Sequence, residues 1–310
     1  MSRIAEIAEG LSDADAVAEE LRRMQESHPE DTTLAINRDA VLRRRGDLEA
    51  ELGRLLAGEQ ADLVRYRVEL FDGSDAPVLG VARSIVLFQT LLTAVFDAVR
   101  GKPKRLYQPS AENIRLSSLH FARAPSAGAA IHFVIPNDRL LALESELDVA
   151  FDLMFELFDA RAKTLIRDIA TRAGIASVAA AHAWAANAAQ HGLTTTVSWR
   201  KRKGDRRSAT IGHGEALLFR TAIEAVADEA AEPRSVECEI VAIDEAARSF
   251  RLLLPDKSLV AGQIADGFPF GGRWTMRHWY MADLLRATRV HYATGEETVR
   301  WSLRGLRPVD

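Results

Sequence analysis

The apolar residues of the first 55 positions follow a helical spacing, and this feature constrains the fold more than any other in the chain. They recur every three or four residues from Ile4 to Leu21, and every seven residues from Leu34 to Leu55. Pro29 lies between the two runs and is not tolerated inside a helix. The spacing therefore predicts an antiparallel helical hairpin over residues 1–60, roughly 36 Å long for about 24 residues per arm.

Residues 61–233 contain strand-like runs that are joined by turns and followed by helical spacing, three times over. The runs are LVRYRVEL with VLGV, IRLSSLHFA with AIHFVI, and LTTTVSWR with RRSATI. The predicted helices pass through Phe88, span 139–172 and 175–190, and run from about 215 to 230. Strands that pair locally and alternate with helices predict an α+β fold, with a central antiparallel sheet backed by helices and built from hairpin–helix units.

After residue 233 the helical spacing stops. Six short strand-like runs follow: VECEIVAI, FRLLLP, SLVAGQI, WYMADL, ATRVHYAT and TVRWSLRGL. This density of short strands predicts that residues 234–310 form a small antiparallel β-barrel of the SH3-like or OB-like type.

The charge is distributed unevenly along the chain. The formal net charge is −4, which is not typical of a protein that binds polyanions over its whole surface. Residues 1–60 hold 8 basic and 14 acidic residues, so they carry −6 and leave +2 for the remaining 250. Any anion-binding surface must therefore be local.

The composition also predicts a location. Cys238 is the single cysteine, which excludes an internal disulfide and fits a reducing cytoplasm. The first ten residues lack a secretory signal pattern. The Ala-rich run from Ile175 is interrupted by His182 and Asn187 and is shorter than the roughly 20 apolar residues of a membrane span. We expect a soluble cytoplasmic protein with no membrane partner, and the richness in Ala and Arg suits a bacterium.

The sequence offers little sign of catalysis. It contains no Gly-x-Gly-x-x-Gly, Walker-type, His-Glu-x-x-His, Cys-x-x-Cys or Gly-x-Ser-x-Gly pattern. We therefore expect no cofactor and no metal, assign no catalytic residue, and favour a noncatalytic protein, although active sites can assemble from distant positions.

Three histidines are candidates for a binding site. His120 and His132 fall on neighbouring predicted strands and could face one another, although two partly buried imidazoles are the simpler interpretation. His213 lies between Gly212 and Gly214 before a predicted helix, where free backbone N–H groups could bind an anion. A tight turn that requires glycine is the alternative.

An acidic run follows one predicted helix. It consists of Asp148, Asp152, Glu156 and Asp159. These residues lie away from the apolar stripe, so we expect a solvated face, with docking of a basic partner as the alternative.

The strongest functional signal is the basic tip, residues 200–207. We expect Leu193, Thr195, Val197 and Trp199 to face the core and the chain to turn at Gly204 and Asp205. The tip carries a local charge of +5, from Arg200, Lys201, Arg202, Lys203, Arg206 and Arg207 against Asp205. A second basic stretch contains Lys102, Lys104 and Arg105. Both would contact the backbone of a nucleic acid and read little sequence.

Aromatic residues interleaved with basic ones mark the predicted barrel. Trp274, His278 and Trp279 could stack on a ligand, with His213 as a further candidate, although a small barrel fills its core with such side chains.

These observations favour a noncatalytic binding or assembly protein, an accessory subunit of a bacterial complex. It would contact nucleic acid or another polyanion through the basic tip, and a protein partner or a second copy of itself through residues 4–55. The alternative is an enzyme or small-ligand sensor with a pocket between the α+β domain and the barrel.

Overall fold

The structure is a computed structural model, and it divides the chain into two compact units, residues 1–225 and 226–310. The residues it describes are 2–70, 77–122, 130–137, 144–201, 206–270, 274–276 and 278–309. Over these residues the protein is mixed α+β, with seven helices and two sheets.

The predicted helical hairpin is confirmed. Helix α1 spans Ser2–Ser27 and helix α2 spans Thr32–Glu59, so the break falls at Pro29 as expected. Asp31 caps α2 by accepting a hydrogen bond of 2.8 Å from the backbone N–H of Thr33. The two arms are antiparallel, as ion pairs of residue 3 with residue 51 and of residue 15 with residue 45 show.

The base of the hairpin packs against the body of its own unit. Leu52 and Leu56 of α2 are fully buried and share a cluster with Leu63 and Val134 of the sheet. By contrast, no residue between positions 15 and 51 belongs to the buried core. The hairpin therefore has a packed base and an exposed distal half.

The first sheet is antiparallel, with helices on one face and the base of the hairpin on part of the other. Its strands are β1 (Ala61–Leu70), β2 (His120–Phe121), β3 (Ala130–Pro136), β4 (Leu193–Arg200) and β5 (Arg206–Ile211), in the order β2-β3-β1-β4-β5. The helices are α3 (Val78–Arg100), α4 (Ala111–Leu116), α5 (Glu146–Asp159), α6 (Lys163–Gln190) and α7 (His213–Glu224).

Aromatic contacts join this sheet to the helices. Trp199 of β4 stacks on Phe151 of α5 with ring centroids 4.6 Å apart. Tyr66 of β1 packs on Phe88 of α3 at 4.9 Å and accepts a hydrogen bond of 2.8 Å from the indole of Trp184. These contacts bury one face of the sheet, as the alternation of β4 predicted.

In the structure, two of the three hairpin–helix units differ from the prediction. The predicted strand VLGV is the first turn of α3, which begins directly after Pro77 because proline lacks the N–H that a helix start leaves unpaired. In the second unit, α4 takes the first three residues of IRLSSLHFA, because Ser110 caps a helical turn by accepting from the N–H of Asn113, and the strand is reduced to His120–Phe121. Only the third unit, β4-β5-α7, has the predicted form.

The helix predicted over 139–172 is wrong as a single element, while the Ala-rich helix at 175–190 is confirmed as part of α6. Helix α5 ends at Asp159, and the backbone is extended at Ala160 and Ala162 before α6 begins. The apolar spacing continues across this link, since Ala160 and Ile166 are both buried. Periodicity alone therefore could not reveal the break.

One described helix, α3, is long and apolar enough to cross a membrane. A core helix passes the same test, and Phe88, Leu92 and Val95 of α3 are buried in the first unit.

The second unit contains five strands. They are β6 (Ala227–Asp244), β7 (Ser249–Leu253), β8 (Leu259–Ile264), β9 (Trp279–His291) and β10 (Glu297–Pro308). Around the sheet they pair in the order β10-β8-β7-β6-β9, and β9 pairs with β10 in turn. The pairing of β8 with β10 is parallel and the others are antiparallel, whereas the sequence predicted antiparallel pairing throughout.

Strands begin earlier and run longer here than expected. The helix predicted to reach residue 230 ends at Glu224, and β6 crosses the domain boundary predicted after residue 233. Pro233 is compatible with a strand because this part of β6 pairs on one side only, with β9. The predicted strands WYMADL and ATRVHYAT are one strand, β9. Cys238 is buried, and burial raises the pKa of its thiol to about 11.

Candidate polyanion-binding face and hairpin cleft

The basic tip is divided between the two faces of the first sheet. Arg200 lies opposite Arg206 in the register of β4 and β5, and Trp199 lies opposite Arg207. Since alternate residues of a strand point to opposite faces, Arg200 and Arg206 share the face opposite to that packed against α5. Arg202 and Lys203 lie outside the described residues.

Two further cations of the tip, Arg207 and Lys201, contact neighbouring side chains. Arg207 forms an ion pair with Asp152 of α5, and its guanidinium lies 5.8 Å from the ring centroid of Phe155. The ammonium of Lys201 lies 4.8 Å from the ring centroid of Trp199. The tip is therefore not one continuous cationic patch.

The arginines of β1 add to those of the tip. In the register of β1 and β4, Arg65 lies opposite Ser198 and Arg67 lies opposite Thr196. We call the surface formed by Arg65, Arg67, Arg200 and Arg206 the open face. Helices α3, α5 and α6 cover the other side of the sheet, and the hairpin base covers only part of this one. Arg65 and Arg67 were not identified from the sequence. The alternation of apolar and basic residues from Val64 to Val68 nevertheless indicates that both arginines point to the same face of β1.

The charges on the open face are only partly compensated. Arg67 pairs with Glu69, and Arg200 pairs with Glu49 of α2 at 3.0 Å. Arg206 has no carboxylate partner among the described residues. Burial lowers the pKa of Arg65, and the like charges of Arg67 and Arg206 lower it further. A bound anion would relieve this repulsion.

A cleft of about 240 Å³ lies where the base of the hairpin meets the open face. We call it the hairpin cleft. Its lining residues are Ala8, Leu11, Ser12, Asp15, Arg45, Glu49, Leu52, Leu63, Arg65, His132, Ser198, Arg200 and Arg206.

His132 contributes a neutral group to this cleft. Burial, together with the positive charge of Arg65, lowers the pKa of its imidazole to about 4. The ring is therefore uncharged at pH 7, and it can accept or donate a hydrogen bond without adding charge.

The second basic stretch lies in the segment between α3 and α4 rather than on the strands of the open face. The ammonium of Lys104 pairs with Asp97 at 2.6 Å and donates to the carbonyl of Gln108 at 2.7 Å. Lys102 is exposed, and Arg105 interacts with a neighbouring group of the protein. None of the three lines the hairpin cleft.

The histidine candidates do not assemble a site. His120 lies opposite Val134 rather than His132 in the pairing of β2 with β3. His213 is the first residue of α7, and the Glu215 carboxylate accepts a hydrogen bond of 2.8 Å from the N–H of Gly212. This helix start is thus occupied by its own side chain. No group of three or more potential metal ligands is found among the described residues.

The acidic run on α5 is only partly solvated, which corrects the sequence interpretation. Asp148 is buried because it closes a capping box with Ser145 and accepts from the N–H of that residue at 3.0 Å. Asp152 pairs with Arg207, and Glu156 pairs with an arginine of α6 at 2.6 Å. Cations of the same unit therefore compensate much of this run.

The aromatic candidates lie in the second unit. Trp274 packs against the core there, with its ring centroid 5.7 Å from that of Tyr280 and 6.0 Å from that of Phe268. His278 and Trp279 are exposed at the start of β9. Trp274 is thus a packing residue, and Trp279 presents a ring to solvent.

Comparison with known proteins adds no functional information. No family model, curated protein or solved structure matches the chain.

Proposed function

We propose that this protein is a noncatalytic binding protein of the bacterial cytoplasm that contacts nucleic acid through the open face, as an accessory subunit of a larger complex. The observation that carries the proposal is the register of β1, β4 and β5, which brings four arginines onto one face that the hairpin base covers only in part. The lowered pKa of Arg65 supports it in part: burial is its main cause, and the nearby like charges of Arg67 and Arg206 lower it further.

The spacing of these cations suits a phosphate backbone. Residues two apart on a strand are about 7 Å apart, and residues on neighbouring strands about 5 Å apart. Arginines at these distances can contact successive phosphates without reaching base edges. Contacts of this kind hold a nucleic acid without reading its sequence.

The direct test is fluorescence anisotropy with a labelled single-stranded oligonucleotide at about 25 mM salt. The variant Arg67→Glu/Arg206→Glu reverses two charges of the open face, and we expect it to lower the affinity at least tenfold. Binding should not depend on the sequence of the oligonucleotide. The same titrations with double-stranded DNA and with RNA identify the preferred form.

The matched control is Arg43→Glu/Arg44→Glu, which makes the same change of net charge on exposed residues of α2 that do not line the hairpin cleft. When the variants are compared at about 0.15 M salt, we expect it to bind nearly as well as the wild type, because charges separated by more than about 8 Å are largely screened there. Equal losses in both variants would refute a role for the open face. Undetectable binding by the wild-type protein would refute the proposal itself.

The distal half of the hairpin, residues 16–44, is the part of the predicted contact surface that remains available to a protein partner or a second copy. Its exposed apolar side chains include Val17, Met24, Ile36 and Leu42. Light scattering tests self-association, and a concentration-independent monomer would leave only a different protein as partner.

The ring of strand pairings in the second unit supports a finer assignment. We propose that it is a small barrel of the SH3-like or OB-like type, in which Cys238, Phe250 and Leu252 form part of the core.

A further inference from the structure

The hairpin cleft combines an apolar floor with cationic walls. Leu11, Leu52 and Leu63 belong to the buried cluster at the hairpin base, and they line the cleft together with Arg65 and Arg206. A site of this composition suits a ligand with a small apolar body and a negatively charged group.

The carboxylates of the cleft do not neutralise all of its cations. Asp15 accepts from Arg45 at 2.6 Å, and Glu49 is shared between Arg45 at 3.2 Å and Arg200 at 3.0 Å. Four guanidinium groups thus face two carboxylates among the lining residues. The excess positive charge lies at Arg65 and Arg206.

Two buried donors of the cleft lack acceptors. The Nε–H groups of Arg65 and Arg200 are buried and have no hydrogen-bond partner within the part of the chain that the structure describes. Arg65 donates through its terminal nitrogen to the hydroxyl of Ser12 at 2.7 Å, which leaves its Nε unused. Buried polar groups are rarely left without partners, so an acceptor that reached these donors would stabilise the protein.

We infer that the hairpin cleft binds a small organic oxyanion, a phosphate monoester or a carboxylate on a compact apolar body. The oxyanion accepts from Arg65 and Arg200, whose planar guanidinium groups suit two-point recognition of such groups. Arg206 supplies the balancing charge, and neutral His132 offers a further hydrogen bond. The volume of about 240 Å³ is below the roughly 300–1,000 Å³ of sites for drug-sized ligands, which limits the ligand to a small molecule.

This inference goes beyond the proposed contact with nucleic acid, because one small anion fills the cleft without any polymer. It also differs from a general attraction of anions to the open face. Arg67 lies on that face but does not line the cleft, so the two arginines of β1 separate the possibilities.

The test uses phenyl phosphate, benzoate and inorganic phosphate as probes in isothermal titration calorimetry. We expect wild-type protein to bind phenyl phosphate or benzoate at submillimolar concentration, and inorganic phosphate more weakly because it lacks the apolar body. Arg65→Gln should weaken binding at least tenfold, whereas the matched variant Arg67→Gln should change it less than threefold. Preference for phenyl phosphate over benzoate would identify phosphate as the bound group, and the reverse preference a carboxylate.

A second measurement needs no variant. In a ¹H–¹⁵N spectrum of arginine Nε–H groups, phenyl phosphate or benzoate should shift the Arg65 and Arg200 signals before those of other arginines. No shift at 10 mM probe, or equal effects of Arg65→Gln and Arg67→Gln, would overturn the inference. Oligonucleotide binding is measured separately, so either proposal can fail while the other stands.

Discussion

At the residue scale, Gly174 shows how a single position can constrain the fold. Gly174 has φ of 82° and ψ of 152° in the middle of α6, where it kinks the helix. A Cβ at this position would lie 2.6 Å from both the amide N and the carbonyl O of Lys104. Glycine is therefore required there for its conformation and for the close approach of a neighbouring segment.

Replacing Gly174 by alanine should lower the free energy of unfolding by at least about 2 kcal/mol, because strain and overlap add. The control is Gly53→Ala in the interior of α2, where a Cβ meets nothing within 4 Å. That change should raise the free energy of unfolding by about 0.5–1 kcal/mol, since alanine favours a helix. Urea unfolding of both variants measures the difference, and equal effects would contradict this role of Gly174.

His132 should make the stability depend on pH. Burial and Arg65 lower the pKa of its imidazole in the folded protein from 6.5 to about 4, so the unfolded chain binds the proton more tightly. The contribution of neutral His132 to the free energy of unfolding is therefore full above about pH 6.5 and is lost as the pH falls toward 4. Between pH 7 and pH 5 the free energy of unfolding of the wild type should fall by about 1–2 kcal/mol more than that of His132→Phe. Urea unfolding at each pH measures this difference.

His120 provides the matched control, because it is exposed on the neighbouring strand β2. If His120→Phe reduced the pH dependence as much as His132→Phe, the effect could not be assigned to the cleft histidine.

At the element scale, the sequence predicts those elements whose side chains repeat along one face. The hairpin, β1, β3, β4, β5, α7 and most strands of the second unit follow from periodicity and turn residues. The link between α5 and α6 was missed because its apolar spacing is continuous, and the start of α3 because VLGV suits a strand or a helix equally. Local pattern does not reveal which of two compatible structures the tertiary packing selects.

The two halves of the hairpin should respond differently to truncation. Leu56→Ala at the packed base should lower the free energy of unfolding by about 2–5 kcal/mol, because the side chain is fully buried. Ile36→Ala in the distal half should stay within about 0.5 kcal/mol, since that side chain is 64% exposed. Thermal or urea unfolding measures both, and a large cost at Ile36 would show that the distal half is packed.

At the scale of the whole molecule, the net charge of −4 hides a local excess of cations. The basic tip was visible in the sequence as a charge run, but the open face depends on the register of three strands, which no local pattern sets. The sequence therefore indicated two of the four arginines of the open face, Arg200 and Arg206. It did not indicate that Arg207 lies with α5, or that Arg65 and Arg67 join Arg200 and Arg206.

The salt dependence of oligonucleotide binding tests the central claim most directly. If the arginines of the open face neutralise phosphates, the logarithm of the affinity should fall linearly with the logarithm of salt concentration, with a slope of about −2 to −3 for three or four contacts on a single strand. Arg67→Glu/Arg206→Glu should reduce the size of that slope by at least 1, and Arg43→Glu/Arg44→Glu should leave it unchanged. A slope near zero, or the same slope in all three proteins, would contradict the claim that the open face binds a phosphate backbone.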